Sequence, residues 1–290
     1  MDRANQRKES VQDKKYPEKL CPIRTPLLLG MHGLAVYGLT LFSFEALFFF
    51  LGFYFLTGCL GLTVGYHRLL THRSFVAPKW LKNSLSLLGT MCMQGSPTLW
   101  VAYHRMHHAN TDHPGDPHSS KRGFLWSHFY WMIHRAPNGF SLRETLPKVR
   151  DVADTKFIRF LDRHYFFVNL CLMLLFYLTT RRLDLTLWAF PVRIVAFWHA
   201  TWLVNSYAHH AGSPNKEVGS SRNSFWLSLI MFGEGWHLNH HQFPGRATFQ
   251  SKSWHLDMGY HCIQAFEFLG IANKVRKLDY PRKEGFEEAS

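Results

Sequence analysis

The sequence predicts an all-α polytopic membrane protein in which four transmembrane helices, paired as two hairpins, carry a cytosolic helical cap rich in histidine. Three observations predict this fold class. Apolar runs of membrane-spanning length occur in two parts of the chain, basic residues are concentrated between them, and clusters of histidine stand where the runs end. The 290 residues are therefore expected to form a single domain with its histidines gathered at one membrane face.

The first hairpin is predicted over residues 26–66, after a polar N-terminal segment of residues 1–24. Residues 26–44 contain no Lys, Arg, Asp or Glu, and residues 46–66 are again free of them. Each run is close to the ~20 residues that cross a bilayer as a helix. The alternative, buried helices of a soluble protein, fits poorly because soluble cores rarely supply two adjacent charge-free runs of this length.

The second hairpin is predicted over residues 165–204, and its signal is weaker. The run 165–180 is shorter, and the run 185–204 includes a proline, an arginine and a histidine. A buried helix of a soluble protein would explain the last run well enough. The transmembrane interpretation of this half therefore depends on the first hairpin.

Charge predicts which side of the membrane carries the cap. Residues 67–163 hold 14 Lys and Arg against 6 Asp and Glu, and the first 24 residues hold 7 against 4. Positive charge near membrane ends marks the cytoplasmic side. Two arginines in the loop between the last two runs argue mildly for the reverse, but the larger excess outweighs them. The segment 67–163, the cap 205–278 and the tail 279–290 are thus placed in the cytosol, at a bacterial inner membrane or its equivalent. The endoplasmic reticulum and the thylakoid remain open as alternative membranes.

Histidines occur in clusters at the ends of the apolar runs. The stretches HRMHHANTDH and GEGWHLNHHQFP each contain the pattern H-x-x-H-H, and positions i, i+3 and i+4 share one helix face. The three imidazoles of each cluster are therefore expected to point the same way, as parts of one assembled site. Two further stretches, HRLLTH and NSYAHH, add donors at other run ends. The candidate ligands are His67, His72, His104, His107, His108, His209, His237, His240 and His241.

The number of donors limits the kind of metal site. A tetrahedral zinc takes four protein ligands, so nine imidazoles imply two metal ions. Imidazole binds Zn, Cu, Fe and Ni alike, so the donors alone do not select the metal. The chain has no H-E-x-x-H, which excludes a zinc protease of that type. Six other histidines are expected to be ordinary surface or core residues: His32, His134, His164, His199, His255 and His261.

At these residues the sequence resembles the membrane fatty-acid desaturases, in particular the stearoyl-CoA/Δ9 acyl-lipid branch. The matching stretches are GYHRLLTHRSF, HRMHHANTDHPGDPHSSKRGFLWSH, TWLVNSYAHHAG and GEGWHLNHHQFP, and the resemblance extends over about residues 45–277. It implies an O2-dependent oxidase with two iron ions (Fe2+) that places a cis double bond, at Δ9, in a saturated acyl chain. It also implies that the nine histidines named above are the iron ligands.

The resemblance further implies roles for residues near the metal. Asn205 matches a position that reaches a metal through water. Trp100 and Thr201 match residues that line the bend of the substrate tunnel, and Gln94 and Trp202 lie nearby.

Helical spacing suggests where the methyl end of the chain lies. Counting back from His67 by fours reaches Cys59 and Phe55 on one stripe of the second helix, with Cys59 ~12 Å deeper in the membrane. Cys59 is expected to border the tunnel and Phe55 to close it, so that Cys59→Phe would favour C16 over C18 chains. The alternative is that Cys59 simply packs against a neighbouring helix.

The acyl carrier and the electron donor are less well determined. The acyl-CoA branch has an Arg-Asp pair before the middle cluster, whereas this chain has Ala102 and Tyr103. CoA, acyl carrier protein and a glycerolipid therefore all remain candidate carriers. The chain has neither a flavin nor a ferredoxin motif, so electrons must come from a partner. A basic face would attract an acidic carrier such as ferredoxin or cytochrome b5.

Two other functions remain open. A hydroxylase or ketolase of the same histidine-rich superfamily would use similar ligands, and product analysis separates it from a desaturase. A membrane metal transporter, the non-enzyme alternative, would place its ligands near the bilayer midplane, whereas these histidines flank the apolar runs. Nucleic acid is not an expected partner, because no basic patch accompanies a motif that reads bases.

Overall fold

A computed structural model describes residues 19–134, 149–210 and 220–277, and these residues form helices and loops without a β-strand. The N-terminal half contains α1 (Arg24–Leu39), α2 (Phe44–Phe53) with its continuation π1 (Tyr54–Thr71), α3 (Lys79–Thr90), α4 (Pro97–Ala109), a 3-10 turn (Ser120–Arg122), π2 (Trp126–Tyr130) and α5 (Trp131–Ile133). The C-terminal half contains α6 (Lys156–Thr180), α7 (Leu183–Leu187), π3 (Trp188–Val192), α8 (Arg193–His210), α9 (Phe225–Ile230), α10 (His237–Gln242) and α11 (Met258–Phe268).

Three continuous helical segments are long and apolar enough to cross a membrane. They are Phe44–Thr71, Lys156–Thr180 and Leu183–His210, with 28, 25 and 28 residues. Their mean hydropathies are 2.0, 1.2 and 1.3. The remaining predicted span, residues 26–44, overlaps α1. This helix has 16 residues and a length of ~24 Å, which is less than the ~30 Å thickness of the hydrocarbon core. The described structure thus supports a membrane protein with three candidate spans.

The helices extend further than hydropathy predicts. The second apolar run was expected to end at residue 66, but its helix continues to Thr71 and so includes His67. The last run was expected to end at residue 204, but its helix continues to His210 and so includes His209. Histidine is compatible with a helix where its ring is buried against partners, and a hydropathy profile does not register those partners.

The helix Leu183–His210 lies at the centre of the bundle. In its most apolar 18-residue window 72% of the residues are buried, against 11% for Lys156–Thr180, which exposes a row of apolar side chains to its surroundings. This central position explains how the helix tolerates Arg193. The buried guanidinium donates hydrogen bonds to the carbonyl oxygens of Met91 (2.8 Å) and Ala189 (3.0 Å) and to Thr57 Oγ1 (3.0 Å).

Glycine allows π1 and α3 to approach closely. A Cβ atom on Gly61 would lie 2.4 Å from the carbonyl carbon of Leu88 and 2.4 Å from the amide nitrogen of Gly89. Both atoms belong to backbone and cannot turn aside. Close contact through small residues is a typical way of packing membrane helices, and here it places the end of π1, with its histidine, against α3.

We expect Gly61→Ala to destabilise the protein by about 1–3 kcal/mol, the usual cost of forcing extra atoms into a packed contact. Gly52→Ala is the matched control, because it also lies in the first span and a Cβ there meets nothing within 4 Å. Thermal unfolding in detergent compares the two variants. Equal melting temperatures for both would show that the helices do not touch at Gly61.

Candidate metal centre

The two H-x-x-H-H clusters lie on short helices whose first turns are held by side chains from elsewhere in the chain. α4 has Pro97 in its first turn, and the backbone amide and hydroxyl of Thr98 donate to Asp162 Oδ1 on α6, at 2.9 and 2.8 Å. In α10, the amide of Leu238 donates to Asn223 Oδ1 at 3.1 Å. Each of the two helices is thus anchored in its first turn by a side chain from another part of the chain.

The first group of donors combines residues from π1, α4 and α10 with His72, which follows π1 directly. His67 Nε2 lies 3.0 Å from His240 Nε2, and His240 Nε2 lies 2.9 Å from His108 Nε2. His108 Nε2 in turn lies 3.0 Å from His104 Nε2. We call this set group 1: His67, His72, His104, His108 and His240, with ligand atoms within 4.8 Å of one another.

The second group adjoins the first and is fully buried. His237 Nε2 lies 2.8 Å from His209 Nε2 and 3.0 Å from His241 Nε2, and His241 Nε2 lies 3.2 Å from His107 Nε2. These four residues form group 2. The nine histidines expected to be ligands are thus all brought together, in two separate groups.

Each H-x-x-H-H cluster is divided between the groups, contrary to the expectation that its three imidazoles point the same way. On α4 the i, i+4 pair His104 and His108 belongs to group 1, and His107 belongs to group 2. On α10 the i, i+4 pair His237 and His241 belongs to group 2, and His240 belongs to group 1. Successive residues of a helix are turned by about 100°, so adjacent histidines serve different groups.

Three carboxylates fix the orientation of three of these rings. His67 Nδ1 lies 2.6 Å from Glu234 and His107 Nδ1 lies 3.0 Å from Asp116. His209 Nδ1 lies 3.4 Å from Asp112. A carboxylate accepts, so in each pair Nδ1 carries the proton and Nε2 presents its lone pair to the group. Carboxylate–histidine pairs of this kind orient metal ligands and raise their basicity.

The donor geometry fits metal ions. Lone pairs that face each other at about 3 Å repel unless a cation lies between them. A metal–nitrogen bond of about 2.1 Å places neighbouring ligands at right angles about 3.0 Å apart, close to the observed spacings. His72 Nε2 is buried and has no hydrogen-bond partner, which suits a ligand atom. Burial lowers the pKa of His104, His107, His108, His237, His240 and His241 well below the usual value, so these rings are in the neutral, metal-binding form.

The pKa values of Asp112 and Asp116 are shifted in opposite directions. Burial alone would raise the pKa of Asp112, but hydrogen bonds from His209 and from the amide and hydroxyl of Ser220 hold it below its ordinary value. Burial raises the pKa of Asp116. A cation bound through His107 would oppose that shift and favour the carboxylate.

Sequence reasoning missed His118. Its ring centroid lies 4.4 Å from that of His107, and together with His107 and Asp116 it forms a third set of donors. The signal was present, because His118 follows Asp116 by two residues within the same histidine-rich stretch.

A cavity opens beside group 1 and contains the residues expected at the tunnel bend. Gln94 Nε2 donates to Thr201 Oγ1 at 2.8 Å, and the Trp100 ring stacks on His104 with centroids 4.9 Å apart. Trp100 therefore lies directly beside a donor of group 1, and Thr201 lines the same cavity as His104. The lining consists of Gln94, Trp100, Tyr103, His104, His118, Trp131, Met132, Thr201, Trp202 and Asn205.

Cys59 and Phe55 do not line this cavity. Cys59 is fully buried, with its Sγ 3.9 Å from Cys262 Sγ on α11. Phe55 packs edge-on against Phe232, with ring centroids 5.8 Å apart. The structure thus places Cys59 at a contact between helices.

Two histidines expected to be ordinary, His32 and His199, belong to a hydrogen-bonded set within the bundle. His199 Nε2 lies 3.1 Å from His32 Nε2, and His199 Nδ1 lies 3.1 Å from His128 Nε2. All three rings lie within 6.4 Å of the Trp202 ring, measured between centroids.

Comparison with known proteins agrees with this geometry. The family model described as fatty acid desaturase matches residues 3–261. The chain is 38% identical to an sn-1 stearoyl-lipid 9-desaturase of Anabaena variabilis over 89% of its own length and 94% of the relative's. It is 38% identical to an sn-2 palmitoyl-lipid 9-desaturase of Nostoc sp. (strain 36), over 84% and 86%. It is also 35% identical to an acyl-CoA 5-desaturase of Anemone leveillei, over 86% and 78%.

Proposed function

Because the chain belongs to the fatty acid desaturase family, and is thus an oxidoreductase, we propose that it is a di-iron, O2-dependent desaturase acting on saturated acyl chains of membrane lipids. The product is a cis double bond at Δ9. The observation that carries this proposal is the pair of imidazole groups beside one cavity.

In this proposal each group holds one iron ion. Iron bound there would supply an oxidant, derived from O2, that is strong enough to remove hydrogen from an unactivated methylene. Glu234, Asp116 and Asp112 hold the Nδ1 protons of their histidines and so keep the Nε2 lone pairs available. Asn205 lines the cavity and would reach an ion through water, the role that the resemblance implies for it.

The cavity residues orient the acyl chain. The hydrogen bond between Gln94 and Thr201 fixes one wall of the bend, and Trp100, stacked on His104, fixes the opposite wall. The reacting carbons then lie beside group 1, and the apolar walls exclude water from them. Cys59 has no part in this arrangement, because it lies outside the cavity.

A glycerolipid is the carrier that the residues favour. Where the acyl-CoA branch has an Arg-Asp pair, this chain has Ala102, which is 2% exposed, and Tyr103, which lines the cavity. Neither side chain offers a charge to a phosphorylated headgroup. The two cyanobacterial relatives described above are named for lipid-linked substrates. In the same proposal α1 is a fourth, short span, the donors face the cytosol, and an acidic protein such as ferredoxin or cytochrome b5 supplies the electrons.

Expression in a desaturase-deficient bacterial host tests the function. We expect new monounsaturated C16 or C18 chains with the double bond at carbon 9, found in glycerolipids when lipid classes are separated before mass spectrometry. Hydroxylated or oxidised chains without alkenes would favour the hydroxylase or ketolase. Metal accumulation with unchanged lipids would favour the transporter.

Trp100→Ala should lower activity by about tenfold to a hundredfold, the order of effect expected from a misplacement of about 1 Å, and should yield more than one double-bond position. Trp80→Ala is the matched control, since Trp80 is an exposed tryptophan on α3. Double-bond positions are read from derivatised products by mass spectrometry. A normal rate with one unchanged isomer would remove Trp100 from the bend.

A further inference from the structure

Cations from three separate segments form a contiguous surface next to group 1. Ser74 Oγ donates to the carbonyl oxygen of Arg246 (3.1 Å), and the amide of Arg276 donates to the carbonyl oxygen of Ser74 (2.9 Å). These bonds hold Arg246 and Arg276 beside Arg73, the residue before Ser74. We call the basic patch the four residues Arg73, Arg246, Lys274 and Arg276, of which Arg246 is half-buried and the others are exposed.

Carboxylates around the basic patch neutralise only part of its charge. Arg73 pairs with Asp151 at 2.7 Å, and Asp151 is shared with Arg105. Lys277 pairs with Glu267 at 2.7 Å. Among the residues that the structure describes, no carboxylate forms an ion pair with Arg246, Lys274 or Arg276 of the basic patch. The surface is therefore strongly positive.

The basic patch adjoins group 1, which is more exposed to solvent than group 2. Three of the five histidines of group 1 are half-buried, whereas all four of group 2 are buried. Arg73 directly follows His72, whose ring centroid is 4.8 Å from that of His240 and 4.7 Å from that of His108. The basic patch thus begins at the residue that follows a member of group 1.

The proposed reaction needs electrons from outside. Conversion of CH2–CH2 and O2, with two electrons and two protons, gives CH=CH and two water molecules, and the acyl chain itself provides only two of the four electrons that O2 accepts. We propose that the basic patch is the docking surface for an acidic one-electron carrier protein, which is oxidised by one electron in each of two successive encounters. This inference rests on the proposed desaturase function and adds where its partner binds.

Complementary charge gives fast, weak association of the kind that electron carriers need. Clustered charges raise association rates by about 10- to 1,000-fold, and the gain is lost at high salt. Charge reversal in the basic patch should therefore act on carrier binding and leave the metal groups intact.

The test uses purified full-length protein loaded with iron and a strongly acidic [2Fe-2S] ferredoxin with its NADPH reductase. The double variant R246E/R276E is compared with the wild type and with Arg181→Glu. Arg181 is exposed and lies just beyond the far end of α6, a helix ~37 Å long, so its reversal makes a charge change of the same sign away from the patch. Lys274→Glu serves as a second, milder variant at a fully exposed position.

We expect the double variant to lower the ferredoxin-dependent rate about tenfold or more at low salt. At high salt its rate should approach that of the wild type. In single turnovers driven by dithionite it should react at the wild-type rate. Lys274→Glu should show a smaller loss of the same kind, and Arg181→Glu none. Ferredoxin binding measured by calorimetry should weaken in parallel. Unchanged binding and rates in both patch variants would overturn the proposal, as would an equal loss with dithionite.

The outcome is separable from the proposed function. If the wild type forms no double bond with either reductant, the desaturase proposal fails, while salt-dependent ferredoxin binding still reports on the basic patch. If the wild type desaturates and the patch variants are unaffected, only the docking surface is wrong.

Discussion

His240→Ala and His107→Ala are each expected to abolish desaturation, because each removes a nitrogen donor from its group. His240 Nε2 lies 3.0 Å from His67 Nε2 and 2.9 Å from His108 Nε2, so its loss opens group 1. His107 Nε2 lies 3.2 Å from His241 Nε2, and its Nδ1 is held by Asp116, so its loss opens group 2. Membrane insertion should be unchanged, since neither residue lies in a candidate span.

Metal analysis distinguishes a ligand from a structural residue. We expect about two iron ions per wild-type chain, from the number of donors, and about one in each variant. His261→Ala is the control, because His261 is exposed on α11 and bonds to Gln264 of the same helix. The ligand assignment would be wrong if either variant, purified and folded, kept full turnover and both metals.

Arg68→Ala is expected to destabilise the protein by about 3–5 kcal/mol, the usual effect of removing one partner of a buried ion pair. Arg68 is completely buried, and its Nη2 lies 2.8 Å from Asp257 and 3.6 Å from Glu234. Asp257 in turn accepts hydrogen bonds from the amides of Phe249 (2.8 Å) and Tyr260 (2.9 Å). Without the guanidinium, two buried carboxylates lose their counter-charge.

The same substitution should also affect the metal centre, because Glu234 holds the Nδ1 atom of His67. We expect the melting temperature in detergent to fall by more than about 5 °C and iron to be lost from group 1 more readily than from group 2. Arg68→Lys keeps the charge but cannot span both carboxylates, so its melting temperature should lie between those of the wild type and Arg68→Ala. Arg182→Ala removes an exposed ion pair with Asp184 and should change little. A melting temperature for Arg68→Ala equal to that of Arg182→Ala would contradict this account.

The sequence alone predicted which histidines the structure brings together and roughly which segments are apolar. The two H-x-x-H-H clusters predict a metal site, because imidazoles at i and i+4 on one helix must lie close together. Charge-free runs predict membrane helices by length and composition: residues 46–66 and 165–180 fall in candidate spans, whereas residues 26–44 overlap the shorter α1. Such information is local, so it can be read from the chain directly. The family resemblance, read on the same residues, added the activity.

The tertiary structure decided how the donors are shared and what surrounds them. The division of each cluster into two groups depends on where α4 and α10 face one another, and the contacts of Glu234 with His67 and Arg68 join residues that are far apart in sequence. Cys59 was expected either to border a tunnel or to pack against a neighbouring helix, and depth along one helix does not decide between them. The structure shows its Sγ beside that of Cys262 on α11. Periodicity fixes the face of a helix, whereas the partner of that face is chosen by the packing of the whole chain.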